Sequence, residues 1–515
     1  MSTMVKPSDP LPTLEPYSHR PARRPWPIKW ALLGTLASAG LCLVALYFGT
    51  KALLGNPKLA SAKSLSTTDL FNLLKLIFAF IAGIGGVIAL VVAYRRQKVL
   101  EEQIRLSVRV QFHAEQVAAI NAYDATERRV TDLYGQSVEQ LGNDKAAVRL
   151  GGLYSLERLA QDYEQHRQAV IDVVCAYLRM PFQVNVKEVT PASTLGDTVE
   201  RGSREGPEQE FQVRLAAQRL LATHLRIRNQ EDSASSTRAS AHWANMRIDL
   251  TGAHLIGLDF SNCSFSNADF SNARFSEGRT RFENSRFTED GIFSNAIFEV
   301  GANFVETHFG AGASFTGCEF SGEANYKDAR FKNNAGFNRT NFQKDAFFDG
   351  AVFAGTTWFR RSEFKGNADF RKATFGQRTA FDSATFVGDA YFAASNFPGK
   401  VTFQNVTFIR RALFIEADFG GEVTFKQASF KLSPRFIAVK FHCTAIFTPV
   451  HFEKKPEFAR AIAKAPNSIH EWPPNWKIDE QVPDGEMGRL INEAISPEVS
   501  RANGTSQDVN ANTQT

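Results

Sequence analysis

Disulfide frameworks, zinc-binding cysteine pairs and the common catalytic signatures are all missing from this chain. Its five cysteines, Cys42, Cys175, Cys263, Cys318 and Cys443, stand far apart in 515 residues and read as reduced core thiols. There is no GxxxxGK(S/T), no strand-flanked GxGxxG, no GxSxG and no HExxH. The ten histidines are scattered, and the nearest grouping, His442-Cys443 with His451, has no fourth ligand at plausible spacing. This reading therefore assigns no catalytic residue, no cofactor-binding residue, no cofactor and no metal ligand. An excess of one charge is lacking too, because the formal +5 is small and dispersed and does not suggest nucleic-acid binding. Carboxylates such as Asp328, Asp345, Asp369 and Glu416 recur at intervals that suit a solvated surface.

What the chain does have is phenylalanine, and 37 of its 44 copies lie between Phe260 and Phe458. From Phe287 the rings recur at alternating intervals of six and five, Phe287, Phe293, Phe298, Phe304, Phe309, Phe315, Phe320, and on to Phe458, with only Tyr326 departing from Phe. Neither a helix of period 3.6 nor a strand of period 2 puts such residues on one face, so the chain must coil into a solenoid. Two residues before nearly every ring sits a small or β-branched side chain, as at Ala296, Ala302, Thr307, Ala313 and Cys318. Upstream the spacing is a plain five through Leu250, Leu255, Phe260, Phe265, Phe270 and Phe275.

At segments such as Ser266-Asn267-Ala268-Asp269-Phe270 the chain resembles the pentapeptide-repeat family, whose motif is Ala-(Asp/Asn)-(Leu/Phe)-x-x. The resemblance implies a right-handed quadrilateral β-helix with one repeat per side. Five plus six departs from that motif, giving twenty-two residues per coil instead of twenty, with the extra residue looped out at every second corner. Gly322, Gly355, Gly366, Gly388, Gly399 and Gly421 fall two residues after a ring, where a bulge needs positive φ or close backbone approach. Stacked at about 4.8 Å per coil, the repeats make a rod on the order of 45 Å long.

Two uncharged stretches, Trp30 to Thr50 and Leu76 to Tyr94, are each long enough to cross a bilayer. Small residues at Gly34, Ser38, Ala79, Gly83 and Gly86 suit close approach of the two helices. Basic residues gather in the leader (Lys6, Arg20, Arg23, Arg24, Lys29) and after the second stretch (Arg95, Arg96, Lys98, Arg105, Arg109), against Lys51, Lys58 and Lys63 between them. The bias puts both termini in the cytoplasm of a two-span cell-membrane protein.

Beyond Tyr94 the pattern is helical, breaks at Gly142-Asn143-Asp144 with an N-cap, and resumes through Val148 to Leu159 and again from about His166 to Met180. This predicts a short α-hairpin stack of the HEAT or armadillo sort. Glu139-Gln140-Leu141-Gly142 followed by Val148-Arg149-Leu150-Gly151-Gly152-Leu153-Tyr154-Ser155-Leu156-Glu157-Arg158-Leu159 resembles a segment found before the β-helix in membrane-anchored pentapeptide-repeat proteins of actinobacteria. Arg149, Tyr154, Glu157 and Arg158 are either a recognition site or, as favoured, the surroundings of a close Gly151-Gly152 helix contact. Val184 to Gln209 reads as a polar linker, Phe211 to Ile227 as an amphipathic helix capping the rod, and Trp472-Pro473-Pro474-Asn475-Trp476 as a fold over its far end.

The expected architecture is mixed: leader 1–29, transmembrane hairpin 30–94, α-helical module 95–183, linker and capping helix 184–240, pentapeptide-repeat β-helix 241–460, and a cap with a disordered tail over 461–515. The expected function is non-enzymatic: a membrane-tethered scaffold presenting a rigid rod for protein–protein interaction at the cytoplasmic face. The alternative is a mimic of duplex DNA that occupies a topoisomerase, as the resemblance to soluble topoisomerase-protecting pentapeptide proteins implies. Such a mimic needs an acidic face, whereas Arg330, Lys332, Arg339, Arg360, Arg361, Lys365, Arg371, Lys372 and Arg378 stand among the acids here. Expected partners are the membrane and a protein, not nucleic acid. The pattern assigns no oligomeric state.

Overall fold

The computed structural model describes residues 28–55, 66–182, 201–227, 242–479 and 481–493. The leader, residues 56–65 between the apolar stretches, part of the linker and the tail fall outside them. The chain divides into two compact units, Met1–Thr126 and Glu127–Thr515.

The first unit holds α1 (Ile28–Leu53) and most of α2 (Thr67–Leu141). Both are candidate membrane spans, with mean hydropathy of 1.6 over Leu36–Leu53 and 2.8 in the apolar part of α2. The second apolar stretch and the helical pattern beyond Tyr94 form one element: α2 runs unbroken for 75 residues, and no glycine or proline falls between Tyr94 and Gly135.

The second unit begins with the end of α2, then α3 (Ala146–Asp162), α4 (Arg167–Arg179) and α5 (Arg201–Leu225). The break at Gly142 is present, but no side chain caps α3, and Asn143 Oδ1 instead accepts the Lys145 N–H at 2.9 Å. α3, α4 and α5 pack against one another pairwise as a small bundle, not a linear stack of hairpins. Gly152 is the close-contact glycine, since a Cβ there would sit 2.7 Å from the Ser137 carbonyl oxygen. Gly151 has room, with nothing nearer than 4.0 Å. α5 starts at Arg201, inside the segment expected as linker. Its packed body, with Val213, Ala217 and Leu221 buried, extends backward at little cost per residue once nucleated.

From Ile248 the chain winds into a β-solenoid of about ten turns, visiting four parallel ladders in rotation. The first ladder runs from Ile248–Asp249 to Ala445–Ile446 and the second from His254–Ile256 to His451–Phe452, ten strands each. The third runs from Thr280–Arg281 to Ala412–Leu413, and the fourth from Ser264–Phe265, through an isolated bridge at Thr374, to Ile462–Lys464. Leu255 pairs with Phe275 twenty residues on, Phe275 with Phe298, and Phe298 with Phe320 at the regular twenty-two. The single longer coil carries Glu277 and Gly278 at positive φ.

Stacking follows the register. Phe287, Phe309, Phe331, Phe353 and Phe375 form one column, with centroids 4.8, 4.9, 4.7 and 5.1 Å apart. Two other columns meet across the axis edge-to-face, as Phe293 and Phe304 do at 5.4 Å. Each buried ring contributes roughly 2–3 kcal/mol.

The corners alternate in kind. Within each five-residue step the ring carbonyl accepts the N–H three residues later, as Phe293 does from Ala296 at 3.0 Å, and the residue two after the ring takes positive φ. These residues form an eleven-residue ladder through Asn284, Asn295, Glu306, Gly317 and Asp328, and none is β-branched, because that conformation crowds Cβ. The other corners hold the extra residue. There the glycines serve close approach and not positive φ: a Cβ on Gly388 would lie 2.1 Å from the Gly366 carbonyl oxygen.

Both ends are closed. At the start, the Gln218 amide exchanges hydrogen bonds with both backbone groups of Ile256 (2.8 and 2.9 Å), and Gln168 does the same to Arg247 (2.9 Å each). Each amide stands in for the peptide of a missing coil. At the far end Trp472 stacks on Phe447 at 5.7 Å and Trp476 lies 4.9 Å from Phe458, above a strand Met487–Asn492 antiparallel to Ile462–Lys464.

Candidate interaction surfaces

The inward side of the solenoid is filled by rings and small residues, so what it offers chemically lies on the outward positions, three per side. Ion pairs there link successive coils at the twenty-two-residue spacing, including Arg360–Asp382 (3.3 Å), Lys400–Glu422 (2.8 Å) and Arg435–Glu457 (2.9 Å). Being largely exposed, each contributes at most about 1 kcal/mol. Their effect is to leave no face with one sign of charge.

The densest cluster is on the third ladder. Asp389 and Asp369 point outward yet are only 3% and 5% exposed, because long neighbours cover them. Arg411 and Arg410 both pair with Asp389, Arg371 pairs with Asp369, and Tyr391 donates to Asp389 at 3.3 Å. The Arg371 guanidinium lies 5.7 Å from the Tyr391 ring centroid. The Arg411 hydrogen bond holds the Asp389 carboxyl below the usual carboxylate range. Sequence reading named Asp369 and Arg371 but missed Asp389, Tyr391, Arg410 and Arg411. Their signal was the same twenty-two-residue lag applied to outward positions.

Arg360, Arg361, Lys365, Arg371 and Lys372 do not make one patch. Arg360 and Arg361 turn the corner between the first and second ladders, Lys365 that between the second and third, and Arg371 and Lys372 that between the third and fourth. Asp328 and Glu416 lie on the positive-φ ladder at this last corner. Asp345 accepts the Asn367 N–H one coil on, at 2.8 Å.

In the helical module, Arg149 pairs with Glu210 (3.1 Å) and Glu157 with His224 (2.7 Å), so both are engaged in packing. Arg158 is solvated and Tyr154 is 58% exposed. The polar centre is Arg214, only 1% exposed, which donates to the Leu178 carbonyl in the last turn of α4, to the Met180 carbonyl just beyond it, and to Glu210. Burial pushes the Cys175, Cys263 and Cys318 thiols up to about 12, whereas Cys42 and Cys443 are exposed. His442 lies 3.1 Å from Asp418. Among the described residues no three His, Cys, Asp or Glu side chains are grouped to hold a metal.

Against known proteins, the family model described as pentapeptide repeats (9 copies) matches residues 250–297, 315–363 and 337–385. No curated protein and no solved structure matches the chain.

Proposed function

We propose that this pentapeptide-repeat β-solenoid is a non-enzymatic scaffold, tethered to the cell membrane by a two-helix hairpin, with both termini and a right-handed quadrilateral rod on the cytoplasmic side. The observation that carries the reading is a core closed along its whole length, which leaves flat, paired polar faces as the means of recognition. Such faces suit a protein partner better than a small substrate, which needs concavity. The two apolar helices and the basic residues around them support the tether and its orientation. A duplex mimic is not favoured, because arginines and lysines interrupt every side of the rod.

Crosslinking in native membranes with the full chain as bait is the test. It should recover one specific protein, and the adduct should be lost on replacing either Arg360, Arg361, Lys365, Arg371 and Lys372 or, separately, Arg410 and Arg411 by Ala. Recovery insensitive to both sets moves recognition to the helical module around Tyr154. Potent inhibition of gyrase supercoiling would put the mimic first. A reporter cysteine at Asn56, in a chain lacking native cysteines, should react with an impermeant reagent in intact cells, and one at Thr505 should not; the reverse pattern refutes the orientation.

A further inference from the structure

We propose that α2 also joins two copies of this chain: residues 99–120 pair with the same segment of a second copy as a parallel two-stranded coiled coil. The parallel direction rests on the membrane reading above, since two chains anchored by the same span leave the bilayer the same way. The observation is a run of apolar side chains exposed, among the described residues of the first unit, along one helix. Val99, Leu106, Val110, Val117 and Ile120 are 55%, 58%, 67%, 55% and 48% exposed. A helix carrying that much bare apolar surface lacks the packing that normally stabilises helices in water.

No other described element of the first unit can cover it. α1 has 26 residues, so folded back from the loop alongside α2 it reaches only to about residue 92, at 1.5 Å per residue on both helices. Where α2 continues into the second unit, Val130, Ser137 and Leu141 are buried and α3 bears on it.

The spacing selects the occupant. Positions 99, 103, 106, 110, 113, 117 and 120 advance by alternating steps of four and three, the seam of a heptad. They place β-branched Val110 and Val117 at one core position and Leu106 and Ile120 at the other. Val110 and Val117 facing Leu106 match the pattern that favours two parallel strands, and the polar residues Gln103 and His113 within the seam fix the register and the strand number between identical chains. Leu100 flanks the seam, whereas Ile104, Val108 and Phe112 advance by four and drift onto the opposite side of the helix, where they form a second, separate apolar stripe. Away from the seam the polar side chains are satisfied along the helix itself, as Gln111 donates to Glu115 at 3.2 Å. Pairing removes on the order of 1,000 Å² from water, the scale of a specific interface.

Full-length chain in native membranes, with exposed Cys42 and Cys443 changed to Ser, tests this by single substitutions to cysteine along 99–120 and oxidation. Leu106→Cys and Ile120→Cys should give about tenfold more disulfide-linked dimer than Gln111→Cys, because seam positions face their own copies. Equal crosslinking around the helix, no dimer, or a ladder running past two copies overturns the proposal. In detergent, light scattering should report a dimer for the parent chain and a monomer for L106E/I120E, with helix content checked by circular dichroism; an unchanged mass also overturns it. Release of the protein by alkaline carbonate with the seam pattern intact refutes the membrane reading and leaves the coiled coil supported.

Discussion

Thr357 and Thr379 stack one above the other on the inward side of the first ladder, 0% and 1% exposed, and neither hydroxyl has a hydrogen-bond partner. The next two residues of that column are Val401 and Val423, equally buried. A buried hydroxyl left unpaired costs about 1–3 kcal/mol. Thr357→Val exchanges it for a methyl of nearly the same shape, so each substitution should stabilise the solenoid by about 1 kcal/mol or more. The two sites touch, so the double variant need not be additive. Thr340 is the control: also buried, it donates to the Phe315 carbonyl at 2.7 Å, and Thr340→Val should destabilise by about 1 kcal/mol. Urea unfolding of the three variants, read as a midpoint shift at constant slope, decides between them. A loss at Thr357→Val as large as that at Thr340→Val would show that its hydroxyl is bonded, and the reasoning would fail.

Phe353 lies between Phe331 and Phe375 at 4.7 and 5.1 Å, so Phe353→Asp should cost several kcal/mol, and an unchanged circular-dichroism melt would reject the stacked column. Gly152→Ala should lower the melting temperature of the helical module, because its Cβ would lie 2.7 Å from the Ser137 carbonyl oxygen, whereas Gly151→Ala should be neutral or slightly stabilising. His470 accepts the Ala445 N–H through Nδ1 and donates to the Lys464 carbonyl through Nε2, which requires the neutral ring, and burial lowers its pKa. As pH falls below about 6.5 the unfolded chain takes up the proton first, so stability present above that value declines until the depressed folded pKa is passed. Tryptophan-monitored unfolding at pH 7.5 and 5.5 should show a larger drop for the parent than for His470→Gln; equal drops would exclude His470 as the source.

The alternating five and six between rings was enough to establish a solenoid with a twenty-two-residue coil. A buried column admits side chains of one size class at each return, aromatic in the ring columns and small or β-branched between them, and that constraint is written directly as a period. Capping of the near end by the helix around Phe211 to Ile227 was legible for the same reason, as an amphipathic pattern next to an open coil. The Gln168 and Gln218 amides were not legible, because a glutamine pairing with a backbone has no local signature. The positive-φ ladder left only a negative trace, the lack of β-branched residues at Asn284, Asn295, Glu306 and their successors. Arg360, Arg361, Lys365, Arg371 and Lys372 looked like a patch because they are close in sequence, yet the thirteen residues from Arg360 to Lys372 turn three corners. Asp389 and Arg411, twenty-two apart, meet. Local periodicity determines where the core lies, since burial repeats with the coil. Which outward charges become neighbours depends on coil-to-coil register, and only the tertiary structure decides that.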